Sequence, residues 1–111
     1  MPIKKDLITM EDMQKIRQEN NARIVVAFDV DGTLIDVNNR PRYEVINLLL
    51  AMHWVGVKIV VWSGCGVDYA ETMVRKLGLE DMVTVEPKDL NEVSITFDDM
   101  EVSLGAVNIM V

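Results

Sequence analysis

The run Ile24-Val25-Val26-Ala27-Phe28-Asp29-Val30-Asp31-Gly32-Thr33 decides how the rest of the chain is read. Its first five residues are apolar, mostly β-branched, and end on an aromatic ring, which predicts a buried strand from about Arg23 to Phe28. The run stops at two aspartates flanking one valine, and Gly32 then supplies a turn. A strand that ends in carboxylates delivers charge to the rim of a sheet. In open α/β folds the rim at the carboxyl ends of the strands is where ligands bind.

Two further runs repeat this plan downstream. Val57-Lys58-Ile59-Val60-Val61-Trp62 predicts a second strand, ending at Ser63-Gly64-Cys65-Gly66. Val93-Ser94-Ile95-Thr96-Phe97 predicts another, ending at Asp98-Asp99. Met82 to Val85 reads as a short strand between them, and Val107 to Val111 as a fifth. Nearly continuous apolar runs suit a parallel sheet covered on both faces. Helical spacing falls between the strands. Val45, Leu48, Leu49 and Met52 place a helix over about 42–54, started by Pro41 and ended by Gly56. Ala70, Met73, Val74 and Leu77 place another over about 67–77, with Gly78 as its cap. Upstream, Thr9 before Glu11 and Asp12 caps a short amphipathic helix over 10–20, with Met10, Met13 and Ile16 as its apolar anchors. Residues 87–91 read as a loop or a single helical turn. The alternation predicts one α/β domain over 1–111: a three-layer, Rossmann-like fold with a mostly parallel sheet.

The bulk composition narrows the function classes. Of 111 residues, 18 are Asp or Glu and 11 are Lys or Arg, a net charge of −7. That balance argues against a nucleic-acid backbone as partner, because such affinity comes from neutralising phosphates with Lys and Arg. Cys65 is the only cysteine, so no intrachain disulfide forms and a reducing cytoplasm is the expected setting. The N-terminus has no apolar stretch behind Lys4 and Lys5, so it does not read as a signal peptide. No apolar run approaches the roughly 18 residues of a membrane helix.

In a parallel sheet the three polar strand ends share one rim. Asp29, Asp31, Asp98 and Asp99 would repel one another there unless they share a cation. Oxygen-only ligands favour Mg²⁺ over zinc. A cation would also be needed between an acidic site and an anionic substrate.

Asp29-Val30-Asp31-Gly32-Thr33 resembles the DxDGT nucleophile motif of the haloacid dehalogenase (HAD) superfamily of phosphohydrolases. The rest of that family's pattern follows in order: an apolar run ending in Ser63, Lys88, then an apolar run ending in Asp98-Asp99. The likeness covers residues 23 to about 105. It implies an Mg²⁺-dependent phosphomonoester hydrolase with an aspartyl-phosphate intermediate on Asp29. Asp31 would serve as general acid and then base. Asp29, the Asp31 carbonyl and Asp98 would hold the ion, with Asp99 assisting directly or through water. Ser63, the Gly64 N–H and a lysine would face the phosphoryl oxygens. Thr33, in the same loop, would orient Asp31 and border the phosphate. The lysine is taken as Lys88, in the loop before the fourth strand, ahead of Lys76, which sits at a helix end where a cation is stabilising in its own right.

Two departures stand out. Phe97 precedes the paired acids where the family often has glycine, and no segment is long enough for a cap domain. Residues 36–41 make only a flap, beside which Arg40 and Arg42 are available to an anionic substrate or are simply solvated. Capless relatives have open sites and act on large substrates or borrow cover from a second subunit, so a homo-oligomer is one expected partner. Two other classes share these residues. A HAD-like binding protein without turnover would keep the ion and lose hydrolysis. A receiver domain also uses acids, Mg²⁺, Ser or Thr and Lys, but places its paired acids after the first strand and its acceptor on a later one.

Overall fold

The computed structural model describes residues 9–21, 23–89 and 93–111. The elements run α1 (Met10–Asn21), β1 (Val25–Asp29), α2 (Tyr43–Trp54), β2 (Lys58–Trp62), α3 (Val67–Lys76), β3 (Thr84–Val85), β4 (Val93–Asp98) and β5 (Gly105–Met110). The strands form one all-parallel sheet in the order β3-β2-β1-β4-β5. This is the expected α/β class, compatible with a three-layer Rossmann-like arrangement, and no cap is evident among the described residues. No helix there is long and apolar enough to cross a membrane.

Register places the site. Phe28 is level with Phe97, and Phe28 with Val61, so Asp29 and Asp98 end neighbouring strands at the same height. Adjacent strands lie about 4.8 Å apart, which brings the two carboxylates together without any loop rearrangement. The Phe28 and Phe97 rings stack with centroids 4.8 Å apart and planes 9° from parallel, fixing that register from the core side. Phe97 thus has a packing role that a glycine could not fill, and its backbone needs no positive φ.

Val26, Phe28, Ile59, Val61 and Phe97 form one core with Val45, Ile46 and Leu49 of α2 and Ala70, Met73 and Val74 of α3. The opposite face buries Ala27, Val60, Trp62 and Val93, with Val25 and Leu104 packed against them. Both α2 and α3 close on glycines with positive φ, Gly56 at +90° and Gly78 at +72°. In each case the next residue's N–H reaches back to the last turn, Val57 to the Met52 carbonyl and Leu79 to Val74.

The N-terminal helix departs from expectation. Thr9 and Asp12 cap it reciprocally, Asp12 N–H donating to Thr9 Oγ1 at 3.0 Å. Yet none of its side chains is buried, and Met13 and Ile16 each remain 46% exposed. Its apolar seam is a single narrow row, and its tie to the body is Asn21 Nδ2 donating to the Val55 carbonyl at 2.6 Å. The third strand is shorter than the expected 82–85, and the fifth begins earlier, at Gly105. Pro87 to Asp89 form a bend, while Leu90 and Asn91 lie outside the described residues.

The return from β4 to β5 is unusually tight. Residues 99–104 must carry the chain back along a strand about 17 Å long. A six-residue helix would cover only about 9 Å, so this crossover is extended instead. Asn108 clamps it: Oδ1 accepts from Thr96 Oγ1 at 2.7 Å, Leu104 N–H at 3.0 Å and Gly105 N–H at 2.9 Å. At the other end of β5, Val111 N–H donates to the Asp98 carbonyl at 2.8 Å.

Candidate active site

The rim gathers most of the residues singled out by sequence. Asp29, Asp98 and Asp99 each offer a carboxylate oxygen, all within 4.8 Å of one another. Asp29 and Asp98 are buried, at 6% and 2% exposure, while Asp99 faces solvent. A hard divalent cation fits this all-oxygen set, with two strand-end carboxylates and a third from the following bend.

Lys88 is the lysine that reaches the site. β3 and β4 are not neighbours, so the chain between them must pass β2 and β1, and Lys88 lies in that passage. Its Nζ donates to Asp98 Oδ2 at 2.7 Å and Asp29 Oδ1 at 3.0 Å. Lys76, in the last turn of α3, stays exposed.

Burial dominates the protonation of Asp29. It lifts the carboxyl to about 6, against the Lys88 hydrogen bond and charge; the Asp98 and Asp99 charges add to the rise. For Lys88, burial alone would lower the pKa, but the hydrogen bonds and charges of Asp98 and Asp29 outweigh it and hold the ammonium above its ordinary value.

Asp31 stands apart from this trio. It is exposed, and its carboxylate points toward α3, where Tyr69 OH donates to Oδ1 at 2.5 Å. That hydrogen bond, with lesser help from burial and the Asp31 charge, pushes the phenol up to about 12. Thr33 does not orient Asp31 as expected. Its buried hydroxyl faces Asp29 Oδ2 instead, at 3.4 Å, because the Gly32 turn folds Thr33 back beneath the strand end.

Ser63 is buried just beyond β2, and its Oγ accepts from Cys65 N–H at 3.0 Å. It therefore caps the 63–66 loop, while Gly66 is the N-cap of α3. The Ser63 hydroxyl proton stays available to a ligand. Gly64 is exposed with open space beside it, and its N–H meets no acceptor among the described residues. Asp98 has a second duty, accepting from Met100 N–H at 3.0 Å.

Three roles were not visible in the sequence. Arg42 is neither solvated nor free for substrate: Nη1 donates to the Gly32 carbonyl at 2.5 Å and Nε to Glu44 at 3.1 Å. Asp36 organises the flap, its Oδ1 accepting from Asn38 N–H at 2.8 Å and Arg40 N–H at 3.0 Å. The Asp-x-Asn spacing was the available signal for that turn. Tyr69 was passed over beside the apolar face of α3; its place in the first turn, just past the Ser63 loop, points it to the rim.

Gly32 has a φ of +79°, and any Cβ there would overlap the Asp99 carboxylate. Gly32→Ala should therefore displace Asp99, and a divalent cation held by this trio, such as the Mg²⁺ expected from sequence, would bind about 10- to 100-fold more weakly. Calorimetric titration with Mg²⁺ measures this, and unchanged affinity would dissociate Asp99 from the ion.

Comparison of the chain with protein-family models, with curated proteins and with solved structures finds no match in any of the three.

Proposed function

We propose that this protein is an Mg²⁺-dependent phosphomonoester hydrolase of the HAD type, working in a reducing, cytoplasmic setting. One observation carries the reading. The DxDGT aspartate, the paired acids and Lys88 meet on one rim, with Asp29, Asp98 and Asp99 within ion-sharing distance and Lys88 bonded to two of them.

The chemistry follows from these side chains. Asp29, Asp98 and Asp99 would hold the ion, which when bound supplies positive charge to offset that of the phosphoryl group. Asp29 attacks phosphorus, the ester P–O bond breaks, and Asp31 gives a proton to the departing oxygen. Asp31 then takes a proton from water as that water attacks phosphorus, releasing orthophosphate and restoring Asp29. Lys88, the Ser63 hydroxyl and the Gly64 N–H are the donors at hand for the phosphoryl oxygens. Arg42 and Gly32 hold the turn that presents Asp31.

Phosphate release from p-nitrophenyl phosphate should require Mg²⁺ and stop with EDTA, restarting when excess Mg²⁺ is added. Release that ignores EDTA, or none across a broad panel of phosphate esters with Mg²⁺ bound, would reject the proposal.

A further inference from the structure

We infer that Tyr69 is a positioning residue for Asp31, the proton donor to the leaving alcohol; the inference rests on the hydrolase reading above. Asp31 is an exposed side chain in a turn, and unheld it would sample several rotamers. Among the described residues, its other side-chain neighbour is the Cys65 thiol, whose Sγ is 3.9 Å from Oδ2 and is a weak donor. The Tyr69 hydrogen bond at 2.5 Å is the one strong tie. It comes from a half-buried ring in the first turn of α3, a helix anchored by buried Ala70, Met73 and Val74. A tyrosine has few rotatable bonds, so it can set an oxygen's position at little entropic cost.

With Oδ1 occupied by the phenol, Oδ2 is the oxygen left to exchange a proton. In the first step the Asp29 carboxylate forms a bond to phosphorus and the P–O bond to the alcohol breaks. The electron pair leaves on the alcohol oxygen, which takes the Oδ2 proton. In the second step water adds to phosphorus, its proton returns to Oδ2, and the Asp29–phosphorus bond breaks. A nitrophenolate leaves without a proton, whereas an alkoxide needs one. Holding Asp31 in place therefore matters for aliphatic esters and little for activated aryl esters.

The test compares kcat/KM for glycerol 2-phosphate and p-nitrophenyl phosphate, with saturating Mg²⁺, in the parent, Tyr69→Phe, Asp31→Asn and the double variant. Tyr69→Phe should lose about 10- to 100-fold on the aliphatic ester and several-fold less on the aryl ester. In the Asp31→Asn background the same change should cost nothing further on the aliphatic ester. Equal losses on both esters, or additive losses in the double variant, would show a merely structural tyrosine and leave the hydrolase reading standing. A parent that cleaves only the aryl ester would overturn the positioning role, since no leaving oxygen would then need the Asp31 proton. A parent that cleaves neither would remove the hydrolase reading and this inference with it.

Discussion

Asp29→Asn should lower phosphate release by at least about three orders of magnitude while making the metal-free protein more stable above pH 6. The loss follows, on the proposed mechanism, from replacing the carboxylate that would attack phosphorus with an amide of the same shape. The stability gain follows from where that carboxylate sits, buried beside Asp98 and Asp99. Its pKa in the folded protein is raised from 3.8 to about 6. Between those values the folded state retains a proton that the unfolded chain has released, so stability falls as pH rises through that window and stays low above it. Asparagine has no such proton to lose. The difference should approach about 3 kcal/mol at pH 8 and vanish near pH 4. Urea melts in EDTA at pH 5 and pH 8 measure it. An Asn variant less stable than the parent at pH 8 would mean that the Lys88 contact outweighs burial.

Lys88→Met should have the opposite thermodynamic effect and a comparable chemical one. Lys88 is the cation bonded to two buried carboxylates, and removing it leaves both without that counter-charge. Breaking such a pair costs about 3–5 kcal/mol. The cost should shrink below pH 6, where Asp29 takes up a proton. The raised pKa of Lys88 means its contribution is complete below the ordinary lysine value of 10.5 and is lost only as pH climbs through the raised one. Added Mg²⁺ should recover more melting temperature in this variant than in the parent. Turnover should drop by about 100- to 1,000-fold even with the ion present. Lys76→Ala, on the exposed end of α3, should leave turnover unchanged and cost no more than about 0.3–1 kcal/mol of stability. Equal effects at positions 76 and 88 would contradict the geometry.

Legibility differed by the kind of contact. The strands were readable because parallel strands buried on both faces, such as Val25–Asp29 and Lys58–Trp62, leave uninterrupted apolar runs. The convergence of Asp29 and Asp98 followed from those runs, since strand ends in a parallel sheet share a rim. Lys88 was preferred to Lys76 from its place in the loop before β4, but its bonds to Asp29 and Asp98 were not readable, because no periodicity records the path of a connection across the sheet. Tyr69, Arg42 and Asn108 escaped for a related reason. Each makes a polar contact whose partner is set by packing, not by spacing. Thr33 was given the wrong neighbour because the depth of the Gly32 turn is a tertiary quantity. The helix over 10–21 was recognised from its cap and spacing, but nothing local told that its seam would stay uncovered.

The extended passage from β4 to β5 leaves Asn108 as the side chain that ties the start of the edge strand to its crossover, beside the backbone ladder to β4. Asn108 grips one end of β5 while Val111 is bonded to the backbone of Asp98 at the other. Slippage of that outer strand would thus be felt in the backbone of Asp98, whose carboxylate stands on the rim beside Asp29 and Asp99.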